Sequence, residues 1–293
     1  MTEPHGDPLG VVPTGERSAP VYIADYQVQR PLGYGNTGRV FLAKPPPRLR
    51  VSAEFVAVKV FTGPCPEPAY ERAVEDLRVV SELESPYLAR VFETGLEGSS
   101  FFYAMDYAAL GSLAAPGRPL SRTEVCLAVS HAASAAHALH EAGIAHAAIK
   151  PQNVLIGPRC ALLADVGLSR HLRPGLTMTG VATSGSVEYV DPVVLTGGPP
   201  SRSSEVWALG ATLHRALTGV GLYGELSHNQ PLLAIRKVMS AQPAIAEDLS
   251  PDALALIRAC LDSPERRVPT ASAVAQRLVE LARRGPGTET GTE

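Results

Sequence analysis

The stretch LGYGNTGRV, with glycine at positions 33, 35 and 38, lies between two runs typical of β-strands. YQVQRPLG before it and RVFLAK after it carry β-branched or aromatic side chains at near-alternating positions. A Rossmann dinucleotide site uses the same GxGxxG spacing, but there the motif opens a helix. The strand that follows here favours a strand–loop–strand cover whose backbone N–H groups approach phosphate oxygens. A glycine-rich hairpin without a ligand is the alternative interpretation.

A third strand-like run, FVAVKVF, places Lys59 among apolar neighbours. An ammonium group in such surroundings is poorly solvated and needs an anionic partner, so we predict that Lys59 contacts a phosphate or a carboxylate. The alternative is a lysine on a sheet edge that reaches solvent. The Pro-rich segment PPPRLRVSAE precedes this run and cannot belong to a central strand. Beyond the run, apolar residues at steps of three and four from Pro68 to Leu83 predict one amphipathic helix.

The character of the chain changes after ALGSL. TEVCLAVSHAASAAHALHEAG predicts an Ala-rich helix that ends at Gly143, and SEVWALGATLHRALTG predicts a second buried helix. Two more helices are expected over residues 252–259 and 271–284. The sequence therefore predicts a small strand-rich lobe followed by a larger helical lobe, joined near Tyr107–Gly111. Residues 1–24 are expected to form a flexible leader and residues 285–293 a flexible tail.

The composition excludes several classes of protein. With 293 residues, 45% of them hydrophobic and 19% charged, the chain can bury a sizeable core. The net charge of −3 provides no basic field for nucleic acid. Four dispersed cysteines indicate buried thiols in a reducing compartment, and neither a membrane span nor a signal peptide is visible. We therefore expect a cytoplasmic protein with no nucleic-acid or membrane partner.

Taken together, these segments resemble the protein kinase superfamily, and within it the bacterial serine/threonine kinases of eukaryotic type. The motifs that carry the resemblance occur in the family's order: GYGNTGRV, VAVK, YAMDYAALGSL, HAAIKPQNVLI, LADVGLS, GSVEYVDP, SSEVWALGATLHRALTG and SPERRVPTA. The resemblance implies an α+β, bilobal protein-kinase-like fold over residues 25–284. Its N-lobe (25–107) would be a small antiparallel β-sheet with one helix, and its C-lobe (111–284) would be larger and mainly α-helical.

The resemblance also implies a site for ATP or ADP with Mg²⁺. Met105 matches the gatekeeper, and Lys150 matches the lysine that contacts the γ-phosphate. The metal ligands would be Asn153 and Asp165. The nucleotide-binding positions implied by the family are Gly33, Gly35, Gly38, Val40, Ala57, Lys59, Met105, Asp106, Ala108, Asn153 and Leu155.

Two alanines depart from the family's catalytic loop. Ala148 stands where the family has the aspartate that accepts the substrate's proton, and loss of a general base lowers rates by about 10²–10⁴. Ala147 stands where an arginine pairs with a phosphorylated activation loop. Phosphate on Thr177, Thr179 or Thr183 would therefore lack its usual anchor.

Other departures concern ion pairs. The glutamate that holds the lysine of the third strand becomes Asp76, which is one methylene shorter, so we expect a weakened or broken Lys59–Asp76 pair. Val193 replaces the glutamate that pairs with Arg267, and a buried arginine without a partner would cost several kcal/mol. Asp191 or Glu188 could serve as its partner, or Arg267 is exposed to solvent. Glu205 replaces the aspartate that holds the catalytic-loop backbone. His146 and Trp207 are interpreted as packing residues.

The losses lie on the catalytic and substrate side, whereas the nucleotide elements are kept. This division predicts a pseudokinase that binds ATP or ADP and regulates or scaffolds signalling through a protein partner, such as an active kinase or its substrate. A slow serine/threonine kinase that transfers the γ-phosphate to a protein is the alternative, with Glu188 as a conceivable replacement base. A transferase of other chemistry would need a motif that the sequence lacks.

Overall fold

The computed structural model describes residues 21–35, 38–166, 186–227 and 230–284. The candidate phosphorylation sites Thr177, Thr179 and Thr183 lie outside the described residues. Strand β1 (Tyr22–Ile23) pairs with the next strand, so the sheet begins inside the predicted leader. None of the helices in the described ranges is long and apolar enough to cross a membrane.

The N-lobe contains a small antiparallel sheet, as predicted. The sheet has six strands in the order β1-β2-β3-β4-β6-β5. Lys59 pairs with Val40 on one side and with Tyr103 on the other, so the lysine lies on a central strand and not on an edge. The remaining strands are β2 (Tyr26–Gly35), β3 (Gly38–Lys44), β4 (Val56–Phe61), β5 (Val91–Glu97) and β6 (Ser100–Asp106).

Helix α1 (Glu67–Glu82) is the one helix described in the N-lobe, and it buries Ala73 and Leu77 against the sheet. The Pro-rich segment between β3 and β4 forms a short 3-10 turn at Pro47–Leu49. Arg48 in this turn forms ion pairs with Asp25 and Glu93, so the segment is fixed to the outer face of the sheet. The proline-rich sequence thus leaves the sheet and still contributes contacts to it.

The C-lobe is helical, and its core includes the fully buried Leu139, Leu209 and Ile257. Each such side chain stabilises the fold by about 1.5–3 kcal/mol relative to exposure. Gly210 allows two helices to approach closely, because a Cβ there would lie 2.6 Å from Cys260 Cβ. The helices are α2 (Arg122–Glu141), α3 (Pro192–Leu195), α4 (Arg202–Thr218), α5 (Pro231–Ser240), α6 (Pro251–Leu261) and α7 (Ala271–Arg284).

Capping explains where the two central helices begin. Ser121 and Glu124 form a reciprocal capping box at the start of α2, and Ser201 and Ser204 do the same for α4. Helix α4 ends at Gly219, which adopts a left-handed conformation with φ of 72°. These end signals place α2 and α4 close to their predicted limits. Helices α3 and α5 were not predicted.

A second, four-stranded sheet lies where the lobes join, in the order β10-β9-β7-β8. It brings the segment HAAIKPQN, which precedes β9, close to Asp165, which follows β10. The site described next lies on this small sheet and beneath β4 and β6. Its strands are β7 (Gly111–Ser112), β8 (Ala115–Pro116), β9 (Val154–Ile156) and β10 (Ala161–Leu163).

Candidate nucleotide site

His146 begins the loop HAAIKPQN and is completely buried. Its Nδ1 accepts a hydrogen bond from the backbone N–H of Ala148 at 3.2 Å, so the proton lies on Nε2, which donates to the carbonyl oxygen of Ala164 at 3.1 Å. Burial lowers the pKa of His146, which favours this neutral form. The imidazole therefore joins the loop to the residue before Asp165 and has a packing role.

Glu205 holds the backbone of the same loop from helix α4. One carboxylate oxygen accepts the N–H of Ala147, and the other lies 2.6 Å from Nε2 of His140 on helix α2. Glu205 and His140 are both buried. Ala147 has a φ of 60°, a left-handed conformation that is unfavourable for alanine. Its hydrogen bond to Glu205 helps to stabilise this conformation.

Asn153 closes the loop in the 3-10 turn Pro151–Asn153. Its side-chain nitrogen donates to the carbonyl oxygen of Ala148 at 2.8 Å, and its own carbonyl accepts the N–H of Ala164 at 2.9 Å. The amide nitrogen is thus used within the loop. The amide oxygen remains as the atom that could face a ligand.

Lys59 forms an ion pair with both carboxylate oxygens of Asp165, with Nζ 2.5 Å from Oδ2. The hydroxyl of Tyr103 donates to Oδ1 of the same carboxylate at 2.6 Å. Lys59 thus pairs with Asp165, a partner that was not predicted from the sequence. The weakening of the Lys59–Asp76 pair that the shorter aspartate implies stays a prediction.

The contacts of Asp165 determine its charge. Burial alone would raise its pKa, but Lys59, the hydroxyl of Tyr103 and the charge of Lys150 together lower the pKa below its ordinary value. Burial, followed by the charge of Asp165, raises the pKa of Tyr103 well above its ordinary value. The cluster therefore holds an ionised Asp165 and a protonated Tyr103 that donates to it.

Lys150, expected near the γ-phosphate, points to Ser186 and donates to its hydroxyl at 2.9 Å. Burial lowers the pKa of Lys150, and Asp165 opposes this effect. The side chain therefore lies within the electrostatic reach of Asp165. It links the loop to the segment that leads into helix α3.

The apolar residues predicted around the nucleotide base come together in one cluster. Val40, Ala57, Met105 and Leu155 belong to it, from β3, β4, β6 and β9 respectively. At the end of β6, Asp106 and Ala108 make polar contacts within the protein. The carboxylate of Asp106 accepts hydrogen bonds from the backbone and guanidinium of Arg90, so this side chain is not available to a ligand. The carbonyl oxygen of Ala108 accepts from the N–H of Gly111 in the turn that follows.

The three glycines of the glycine-rich hairpin differ in whether packing requires a residue without a side chain. A Cβ on Gly38 would lie 2.2 Å from the carbonyl oxygen of Val60, so packing between β3 and β4 requires this glycine. A Cβ on Gly33 would meet nothing within 4 Å. Gly35 pairs with Gly38 at the end of the hairpin. Packing therefore accounts for Gly38 and leaves Gly33 beside open space.

Tyr103 was missed by sequence reasoning, as was His140. A signal for Tyr103 was present, because it carries a hydroxyl in the otherwise apolar run FFYAM two residues before Met105. Tyr103 is buried, and such a hydroxyl needs a partner.

The motif order and this geometry agree with a comparison against family models. The model described as the protein kinase domain matches residues 26–279. The chain belongs to the protein kinase family. The kinase domain of PknI from Mycobacterium tuberculosis, solved as a point mutant, has the same fold, with a TM-score of 0.66, 22% sequence identity, and coverage of 92% of this chain and 100% of that domain.

Curated relatives include bacterial and animal protein kinases. The serine/threonine-protein kinase PknK of Mycobacterium tuberculosis is 31% identical over 96% of this chain, which covers 26% of PknK. PknD of the same organism is 31% identical over 68% of this chain and 30% of its own length. Aurora kinase B of Danio rerio is 27% identical over 90% of this chain and 81% of its own length. The chain thus spans about a quarter to a third of the bacterial relatives.

In this kinase domain the buried arginine near the C-terminus has a partner. Arg267 forms an ion pair with Asp191 at 2.5 Å and also donates to the carbonyl oxygens of Ser203 and Asp262. Its guanidinium lies 5.4 Å from the ring centroid of Trp207. The interpretation of Arg267 as solvent-exposed is therefore wrong, and Asp191 serves in place of the glutamate that Val193 replaced.

Glu188, considered as a replacement base, is engaged by other groups of this kinase domain. Its Oε1 accepts the N–H of Leu222 at 3.0 Å, and its Oε2 lies 3.8 Å from the guanidinium of Arg215. Burial raises the pKa of Glu188. These contacts join the carboxylate to helix α4 and to the segment after it.

Proposed function

We propose that this protein kinase domain is a pseudokinase. It binds ATP or ADP in the cleft and acts in signalling as a regulator or scaffold for a protein partner. The observation that supports this proposal most strongly is that each buried carboxylate described around the catalytic loop is already engaged by another group. None of these carboxylates is left to replace the base that is absent at Ala148.

In the described part of the chain, three buried carboxylates lie on the elements around the loop. Both oxygens of Glu205 are used, by the N–H of Ala147 and by His140. Asp191 is paired with Arg267, and Glu188 contacts Leu222 and Arg215. Releasing any of them would leave a buried donor or charge without a partner, at a cost of about 1–3 kcal/mol or more.

The sequence of the activation segment adds an independent argument. Residues 167–185, GLSRHLRPGLTMTGVATSG, contain neither aspartate nor glutamate. This segment therefore cannot supply a carboxylate base, whatever its conformation. A general base contributes about 10²–10⁴ in rate, so its loss reduces turnover far below the roughly 1–100 s⁻¹ typical of protein kinases.

Nucleotide binding is supported by the elements that remain. Lys59 and Asp165 form an ion pair, the side-chain nitrogen of Asn153 is used within the loop so that its amide oxygen could face a ligand, and Gly33 leaves open space on the glycine-rich hairpin. The apolar cluster of Val40, Ala57, Met105 and Leu155 provides a surface for the base. A cytoplasmic location, where ATP is abundant, is part of this proposal.

Thermal unfolding and a transfer assay on the same preparation test the proposal. ADP or ATP with Mg²⁺ should raise the melting temperature, because ligand at a hundred times its dissociation constant stabilises a protein by about 2.7 kcal/mol. Labelled ATP should give no phosphate transfer to the protein or to a generic substrate. If the nucleotide-binding residues are able to support catalysis, the Ala148→Asp variant should transfer phosphate from ATP.

The outcomes separate the hypotheses. Transfer by the wild-type chain that is lost in Asp165→Ala would overturn the pseudokinase and establish a slow serine/threonine kinase, the activity named for PknK and PknD. No melting shift with any nucleotide would remove nucleotide binding and leave a scaffold. Gly33→Val is the matched binding variant, because its side chain meets no protein atom at Cβ. It should weaken nucleotide binding without lowering stability.

A further inference from the structure

We propose that Tyr103 holds Asp165 away from divalent cations and thereby weakens the dependence of nucleotide binding on Mg²⁺. This inference rests on the proposed binding of ATP or ADP, and it concerns the control of that same site. It follows from the arrangement of hydrogen bonds around one carboxylate.

The oxygens of Asp165 are already occupied. A carboxylate offers about four lone-pair positions, two on each oxygen. Oδ1 accepts from both Lys59 and Tyr103, and Oδ2 accepts from Lys59. Oδ1 therefore has no lone pair left for another partner, and Oδ2 has one. Mg²⁺ is usually held by one or two carboxylates together with phosphate oxygens.

The residues present fit such an ion by type. Asp165 supplies a carboxylate and Asn153 an amide oxygen, both of which are hard oxygen ligands. The described residues contain no group of three or more His, Cys, Asp or Glu side chains that could hold a metal by themselves. Asp165 is therefore the one predicted ligand that carries charge. Whatever engages Asp165 controls the affinity for the ion.

The hydroxyl of Tyr103 is not explained by packing. Phe101, Tyr103 and Met105 alternate along β6, face the same side and belong to one apolar cluster. A phenylalanine at position 103 would fill the same space. The hydroxyl is the polar atom of this face, and Asp165 is the partner to which it donates.

The surroundings of Tyr103 oppose the release of its hydroxyl. A small cavity beside it is lined mainly by apolar side chains, including Leu77, Val80, Met105 and Val166. If Asp165 turned towards a cation, the buried hydroxyl would lose its acceptor in these apolar surroundings. An unsatisfied buried donor is unfavourable, so the contact favours the conformation of Asp165 that faces Lys59.

Tyr103→Phe tests the inference because it removes one hydroxyl and keeps the ring. The dissociation constant of ADP is measured by isothermal titration calorimetry, once with Mg²⁺ and once with EDTA. The ratio of the EDTA value to the Mg²⁺ value should rise about tenfold over wild type, the effect of losing a hydrogen bond to a charged group. Circular dichroism checks that each variant is folded.

Tyr26→Phe is the matched control. Tyr26 is also completely buried in the N-lobe, and its hydroxyl donates to the carboxylate of Glu93 at 2.6 Å, outside the cleft. This variant should leave the ratio unchanged. A second check is the double variant Tyr103→Phe with Asp165→Asn, in which the gain should disappear because the carboxylate that Tyr103 engages has been replaced by a neutral amide.

Each result has a defined meaning. An unchanged ratio in Tyr103→Phe, an equal rise in Tyr26→Phe, or a gain that persists without Asp165 would overturn the inference while ADP binding stands. Absence of ADP binding by all folded variants, with and without Mg²⁺, would overturn the proposed nucleotide binding and the inference with it.

Discussion

Two buried polar clusters flank the catalytic loop, and they differ in what they hold. The C-lobe cluster comprises Arg267, Asp191, Glu205 and His140, and its charged groups bind backbone atoms such as the N–H of Ala147 and the carbonyl of Ser203. The cleft cluster comprises Lys59, Tyr103 and Asp165, whose contacts with one another join side chains alone. The C-lobe cluster fixes chain geometry, whereas the cleft cluster positions groups that could meet a ligand.

This difference shows that the backbone of the loop HAAIKPQN is held by a residue outside the loop. Ala147 keeps a left-handed backbone conformation, held by Glu205, although its side chain is a methyl group. The side chains of Arg267 and Asp191 are almost fully enclosed, whereas the side chain of Asp165 is 23% exposed. A ligand can therefore reach the cleft cluster, and the C-lobe cluster remains closed to it.

The largest effect is expected when the C-lobe cluster loses a charge. Asp191→Ala leaves Arg267 buried without its counter-charge and should lower the free energy of unfolding by about 3–5 kcal/mol. Lys59→Met should cost less, because Asp165 keeps Tyr103 as a donor and is partly exposed to water. Urea denaturation measures the free energy of unfolding of both variants.

Asp252→Ala controls for loss of an aspartate in an ion pair, because Asp252 pairs with Arg284 on the surface. Its cost should not exceed about 1 kcal/mol. If Lys59→Met destabilised the protein as much as Asp191→Ala, the proposed difference between the two clusters would be refuted.

An intermediate effect is expected from Glu205, which holds the loop backbone. Glu205→Ala leaves the partly buried N–H of Ala147 without this acceptor and should cost about 1–3 kcal/mol. Glu205→Gln keeps an oxygen for this N–H and should cost less. Hydrogen exchange at the amide of Ala147 should accelerate in the alanine variant, and unchanged exchange would show that Glu205 does not restrain the loop.

The smallest effect concerns the pH dependence of stability through Glu188. Burial raises the pKa of Glu188 above its unfolded value, so its favourable contribution is present at low pH and is lost as the pH rises through the raised pKa. Glu188→Gln has no such titration and keeps an acceptor for the N–H of Leu222. The stability of this variant relative to wild type, measured as the difference between their free energies of unfolding, should therefore be greater at pH 7 than at pH 4. A constant difference across this range would contradict the burial effect.

Most of the fold was predictable because its signals are local. Alternating apolar residues gave β2, β3 and β4, and the spacing from Pro68 to Leu83 gave α1 within a residue at each end. Helix α5 was missed because two leucines near its start, Leu232 and Leu233, are exposed and obscure the amphipathic pattern. The second sheet was also missed, since two-residue strands such as β7 have no periodicity to detect.

The sequence by itself determined the family, the order of the lobes, the two alanines of the catalytic loop and the absence of acidic residues from 167–185. These are properties of residue identity and order along the chain. Only the tertiary structure decided which charges pair. Arg267 pairs with Asp191 and not with Glu188, and Lys59 pairs with Asp165. These partners lie 76 and 106 residues apart. Arg267 meets Asp191 through packing within the C-lobe, and Lys59 meets Asp165 across the two lobes, which no local pattern records.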